Sequence, residues 1–113
     1  MQQLRSRQSV VGSVPVLSLS GPVDLATVPA LRDALVRLVG NHVGQLVAVD
    51  LDGVDVLDDS GLGALLGAAG QARSGGGDLV VVASDQHLRD RFALTGLDRA
   101  VDVVERLATA LTR

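Results

Sequence analysis

The groups best suited to chemistry are concentrated in one short segment, Leu57-Asp58-Asp59-Ser60-Gly61-Leu62-Gly63. Two carboxylates precede a hydroxyl, and two glycines follow it with one residue between them. From Ser60 onward apolar residues recur at helical spacing, so the hydroxyl is placed at the start of a helix. The free N–H groups and the dipole at such a terminus favour negative charge. A phosphate added to Ser60 would be held by those amides, and Gly61 and Gly63 would leave the backbone open to a partner. The plainer local reading makes Ser60 a helix N-cap and the aspartates a complement to the dipole. A capping box is absent, because Gly63 stands three residues on, where Glu or Gln would complete one.

Gly63, Gly67 and Gly70 fall on one helical face, and each costs about 1 kcal/mol relative to Ala in a helix interior. The first expectation is tight packing of helix on sheet; the alternative is a flat surface for another protein. Gly61, Gly63 and Gly67 miss the dinucleotide fingerprint by one residue. Asp24, Asp50, Asp52, Asp55, Asp58 and Asp59 gather near predicted strand ends. Such a group could bind magnesium or mark a phosphoryl-accepting receiver, but singly these aspartates read as turn residues. A receiver would also want a lysine, and this chain has none. His42 and His87 are isolated and read as surface or cap residues. A hydrolase using Ser60 would lack the G-x-S-x-G elbow. Arg89, Arg91 and Arg99 read as a solvated face, with a phosphate- or acid-binding patch as the minority reading.

The elements that must position these residues follow from periodicity. Residues 1–7 are candidates for a loose tail, although Gln8 to Val11 could open a strand. Gly12-Ser13 is a turn and Val14 to Ser20 a strand, which together predict an N-terminal hairpin. Thr27 is placed as the N-cap of a helix with Pro29 in its first turn and Leu31, Ala34, Leu35 and Leu38 inward. Leu46 to Leu51 reads as a buried strand ended by Asp52-Gly53, and Val54 to Asp59 as an irregular acidic segment. The next helix has Leu62, Leu65, Leu66 and Ala69 as its stripe. Ser74 to Gly77 is a loop, Leu79 to Ala83 a central strand, and Ser84 or Asp85 caps a short helix carrying Leu88 and Phe92 and stopped by Gly96. Val101 to Val104 is a strand, and Glu105 to Leu111 a final helix. Strands alternating with helices predict an α/β fold.

Composition narrows the function classes. The chain has 113 residues, a net charge of −3 and a hydrophobic fraction of 47%, the profile of one globular domain. Cysteine is absent, which removes disulfides, cysteine zinc sites and thiol catalysis. All ten basic residues are Arg, which excludes a P-loop lysine and a Schiff-base lysine. Phe92 is the sole aromatic residue, and the acidic balance also argues against nucleic-acid binding. No apolar run approaches the roughly 20 residues that span a bilayer, so membrane insertion is not expected. The N-terminus does not read as a signal peptide, and a cytoplasmic location is expected.

Two stretches taken together resemble the STAS-domain anti-sigma factor antagonists of bacteria. Gly21-Pro-Val-Asp-Leu-Ala-Thr-Val-Pro-Ala-Leu-Arg-Asp-Ala-Leu resembles their strand-to-first-helix segment. Asp50-Leu-Asp-Gly-Val followed by Leu57-Asp-Asp-Ser-Gly-Leu-Gly resembles their phosphorylation segment. The resemblance covers nearly the whole chain. It implies a single STAS domain over residues 1–113: a mixed, mostly parallel sheet of about five strands with about four helices and an N-terminal hairpin. It also implies a binding switch rather than an enzyme, with no catalytic residue, cofactor or metal. The unphosphorylated form would bind an anti-sigma factor with serine-kinase activity and release a sigma factor. Phosphorylation of Ser60 would end that binding, and a phosphatase would restore it. ATP and magnesium would belong to the partner. The implied partner-binding residues are Asp24, Asp58, Asp59, Ser60, Gly61, Leu62 and Gly63, on a chain that is a monomer when unbound. Pro22 replaces a usually acidic residue, and Asp59 stands where many members have a second Ser or Thr, making this site more acidic. A competing reading keeps the fold and makes the chain a structural subunit of a signalling or lipid-transport assembly, with Ser60 unmodified.

Overall fold

The computed structural model describes residues 3–112. The elements run β1 (Arg5–Val11), β2 (Val14–Val23), α1 (Val28–Gly40), β3 (Leu46–Leu57), α2 (Asp59–Ser74), β4 (Asp78–Val82), α3 (Gln86–Thr95), α4 (Leu97–Ala100), β5 (Asp102–Val104) and α5 (Leu107–Leu111). One five-stranded sheet has the strands in sequence order, β1-β2-β3-β4-β5. β1 is antiparallel to β2, forming the expected hairpin, and every later pair is parallel.

That order dictates where the helices lie. Each parallel crossover from β2 to β5 steps in the same direction across the sheet. Right-handed crossovers stepping one way place their helices on one face. Leu17, Leu19, Val47, Val49, Leu51, Leu79 and Val81 accordingly pack with Leu31, Leu35, Leu38, Leu65, Phe92 and Leu97 in one core. The alternate strand residues Val14, Val16, Ala48 and Val80 turn to the other face, where Ala110 and Leu107 of α5 cover them. Period-two alternation of apolar residues on both sides of the strands thus fixes a three-layer arrangement.

Four expectations are corrected. The N-terminal strand begins at Arg5, so the candidate tail over residues 1–7 loses residues 5–7 to a sheet edge; Met1 and Gln2 lie outside the described residues. β3 does not stop at Asp52-Gly53 but continues to Leu57 through the segment expected to be irregular. Its pairing with β2 shifts register between Ser18 and Ser20 and again between Gly21 and Pro22. β3 contributes an extra residue at each shift, as in a β-bulge. Asp-Gly reads as a turn locally, yet here it lies within a bulged strand, with Val54 and Leu57 still facing the core. A fifth helix, the single turn α4, follows Gly96, whose left-handed backbone (φ 80°) ends α3.

The fourth correction concerns α2. Its inward stripe is Gly61, Leu62, Ala64, Leu65, Ala68, Ala69 and Ala72, while Leu66, expected inside, is 46% exposed. Gly63, Gly67 and Gly70 share the outer face with Leu66. A Cβ built on any of these three glycines meets nothing within 4 Å, so they do not serve close packing on the sheet. Gly61 is the opposite case. A Cβ there would lie 2.5 Å from Val23 Cγ1 and 2.7 Å from Leu57 Cδ1.

These environments predict opposite signs for one chemical change. Gly67→Ala should stabilise the protein by about 0.4–1 kcal/mol, since it adds helix propensity without a clash. Gly61→Ala should destabilise it by about 1–3 kcal/mol through overpacking. Urea denaturation midpoints would move up for the first and down for the second; a rise for both would contradict the packing under α2.

Candidate functional site

The site is built where two neighbouring parallel strands end together. Val23 and Leu57, the last residues of β2 and β3, are register partners. The Asp58 amide donates to the Val23 carbonyl at 3.1 Å, which extends the pairing one step beyond the strands. Asp24 and Asp58 therefore follow the paired ends of neighbouring strands. The carboxyl edge of a parallel sheet is where helix N-termini and exposed loops converge.

Each aspartate organises a turn. Asp24 Oδ1 accepts from the amides of Ala26 at 3.0 Å and Thr27 at 3.1 Å. Thr27 occupies the N-cap position of α1, but its side chain makes no capping bond. Its hydroxyl instead accepts from the Asp24 amide at 3.0 Å and donates to the Pro22 carbonyl at 2.9 Å, closing the β2–α1 turn on itself.

Asp58, not Ser60, is the N-cap of α2. Its backbone is extended, and its Oδ1 accepts from the amides of Ser60 at 3.0 Å and Gly61 at 3.3 Å. The Ser60 hydroxyl donates to the same oxygen. Ser60 is the second residue of the helix, half-buried, with its hydroxyl held by a carboxylate. The plainer reading of Ser60 as cap is thus overturned, and the reason is chemical: a carboxylate two residues earlier takes the cap and leaves the hydroxyl as its donor. The Asp58 carboxyl is held below its ordinary pKa first by the Ser60 hydroxyl, then by the Gly61 and Ser60 amides and the charge of Arg91; partial desolvation opposes them.

The remaining candidates divide into surface and support. Asp59 is open to solvent, with 90% of its side chain exposed, and Gly63 is on the outer face of α2. Gly61 and Leu62 are buried, so they offer no side chain to a partner; they hold the start of α2 against β2 and β3. Asp50, Asp52 and Asp55 do not join the site. Asp50 accepts from the Asp52 amide at 2.9 Å, and Asp52 accepts from the Ser84 amide at 2.8 Å and hydroxyl at 3.0 Å, tying the β4–α3 loop to β3. Among the described residues no group of three or more His, Cys, Asp or Glu is placed to hold a metal ion, and no helix is long and apolar enough to cross a membrane.

Sequence reasoning undervalued one contributor and missed another. Arg91 reaches from α3 to Asp59, Nη2 to Oδ1 at 2.7 Å, so it is not merely part of a solvated face. No local spacing could announce a contact between residues on different helices. The other is apolar. A groove of about 510 Å³ runs between α1 and α2, with Leu35, Ala64 and Ala68 inside and Val36, Gly63 and Gly67 along it. Val36 is 70% exposed and Leu25, beside Asp24, 78% exposed. Leu25 could have been found, since it lies in a turn and outside the helical stripe.

With this geometry the comparisons with known proteins agree. The family model described as "Mlab, STAS domain" matches residues 6–107. The chain belongs to the STAS domain family. The anti-sigma-F factor antagonist RsfB of Mycobacterium tuberculosis is 34% identical over 99 residues, 88% of this chain and 80% of RsfB. The crystal structure of an anti-sigma factor antagonist from Mycobacterium paratuberculosis superimposes with a TM-score of 0.87 at 30% identity, covering 97% of this chain and 92% of that one. At 19% identity the Bacillus cell fate determinant SpoIIAA in its phosphorylated form shares the fold, with a TM-score of 0.68 over 96% of this chain and all of that one, 100%.

The lowered ionisation of Asp58 predicts a pH dependence. A carboxyl more acidic in the folded state than in the unfolded chain stabilises the fold fully above its unfolded value, and that contribution disappears as pH falls through the folded value. Asp58→Ala should therefore have a lower urea midpoint than wild type at neutral pH. The gap should narrow as pH falls through and below the ordinary carboxylate range. A gap that stayed constant with pH would show that the Asp58 charge does not carry the cap.

Proposed function

We propose that the chain is an anti-sigma factor antagonist acting in the bacterial cytoplasm. Unphosphorylated, it binds an anti-sigma factor with serine-kinase activity and so releases a sigma factor. Phosphorylation at Ser60 switches that binding off, and a phosphatase restores it. The observation that carries the reading is the placement of Ser60: its hydroxyl is held by the Asp58 carboxylate at the start of α2. One turn farther on, α2 presents an outer face bared by Gly63, Gly67 and Gly70 beside an apolar groove. Relatives as similar as RsfB are named for this activity, which supports transferring it.

Electrostatics supply the switch. A phosphate would add about −1.5 to −2 charges to a turn that already carries the carboxylates of Asp58 and Asp59. At an interface those charges bring repulsion, bulk and a desolvation cost together. The partner surface comprises Asp24, Asp58, Asp59, Ser60 and Gly63, with Gly61 and Leu62 supporting it from beneath. Because Asp58 is tied to the end of β2 and already fixes the first turn of α2, the change is local and needs no refolding. The chain acts as switch and substrate; ATP and magnesium belong to the kinase.

Partner capture from host extract, followed by isothermal titration with the recovered anti-sigma factor, tests this. Ser60→Ala should bind as wild type does, and Ser60→Asp should bind about 5- to 150-fold more weakly. Mass spectrometry of the wild-type bait should find phosphate on Ser60. If wild type, Ser60→Ala and Ser60→Asp all recover one stoichiometric complex with equal affinity, the switch is refuted and the structural-subunit reading replaces it.

A further inference from the structure

Arg91 is the cation that the fold brings to the acidic turn, and its bond there is of a kind easily exchanged. Its Nη2 pairs with Asp59 Oδ1 at 2.7 Å, but Asp59 is 90% exposed and Arg91 38% exposed, so water competes for both. Arg91 Nε is buried and has no hydrogen-bond partner among the described residues. The guanidinium therefore holds only one edge of its fork to a solvated carboxylate. Its neighbour on α3, Arg89, is already engaged by Glu105 and by Gln86 Oε1 at 2.8 Å. Lysine is absent from the whole chain. α3 itself is held in place by the Asp52–Ser84 bonds at its approach and by buried Leu88 and Phe92.

We infer that Arg91 is the built-in receptor for a phosphate on Ser60, exchanging its Asp59 partner for the phosphoryl oxygens. This rests on Ser60 being phosphorylated, as proposed above. The exchange breaks one ion pair and makes another, with no covalent change. A guanidinium fork matches two phosphate oxygens and prefers a dianion to a single exposed carboxylate. The charge of Arg91 also acts on Asp58, whose carboxylate holds the Ser60 hydroxyl, so the receptor already stands beside the group that carries the modified side chain. The exchange has two consequences. It clamps α3 to the start of α2 in the phosphorylated form. It also frees the Asp59 carboxylate toward solvent, so a partner meets an unpaired acid in addition to the phosphate.

The test installs phosphoserine at position 60 of the full chain by genetic encoding and follows its second ionisation by ³¹P NMR. Asp24, Asp58, Asp59 and Arg91 are the charged groups at that strand edge. With Arg91 as the receptor, Arg91→Gln should raise the ionisation by about one pH unit relative to the wild-type phosphoprotein. Arg91→Lys, which retains charge without the fork, should recover part of that shift, and Arg89→Gln should leave it unchanged. Should Arg91→Gln fail to fold, the Lys variant decides: an ionisation equal to wild type, like equal titration of the Gln variant and wild type, overturns the inference. Because the phosphate is installed rather than added by a kinase, this result is separable from partner capture. Equal binding by Ser60→Ala and Ser60→Asp would sink the antagonist reading and leave the titration intact.

Discussion

A single carboxylate oxygen, Asp58 Oδ1, accepts from two backbone amides and one hydroxyl at the start of α2. Most of the site's properties follow from that bond set. It caps the helix, sets the position of the Ser60 side chain and favours the ionised form of Asp58. It is possible because the Asp58 amide is bound to the Val23 carbonyl, so the residue is fixed to the sheet before the helix begins. A hydroxyl presented by a capped helix on a sheet edge is ordered in advance of any partner, and order in advance reduces the cost of recognition.

The same sheet edge explains why glycine is used in two opposed ways within one helix. At Gly61 the helix must start against Val23 and Leu57, and a methyl group would collide with both side chains. At Gly63, Gly67 and Gly70 there is nothing to collide with. Those three positions sacrifice helix propensity on an exposed face, which folding alone does not require. Exposed Leu66 lies among them, and the α1–α2 groove runs beside them. That exposed face and the apolar groove beside it lie next to an ordered hydroxyl.

Much of the fold was legible because the residues that carry it are apolar and periodic. Leu31, Ala34, Leu35 and Leu38 marked α1, and Leu79 to Ala83 marked a central strand; all are buried. What failed was punctuation. Asp52-Gly53 carries a strong local turn signal, yet β3 runs through it because β2 offers pairing partners as far as Val23 and a bulge absorbs the extra residues. Leu66 matched a helical stripe equally well inside or outside, and only the glycines' neighbours decide between the two. At the site, the segment around Ser60 was visible in sequence, but the cap was assigned two residues too late. A side chain's choice between capping and being held depends on the backbone of Asp58, which is extended.

Arg91 shows why the charge balance of such a site is not legible in the segment itself. Reading Asp58-Asp59-Ser60 alone gives two uncompensated negative charges, and a second acid where the family often has a hydroxyl looks like a loss. The fold adds a guanidinium from a helix more than thirty residues away in sequence, since the Arg91–Asp59 bond spans 32 positions. Asp59 and Arg91 then form a removable neutral pair at the rim of the site rather than a fixed excess of charge. The acid at position 59 is thereby answered by a residue on another element.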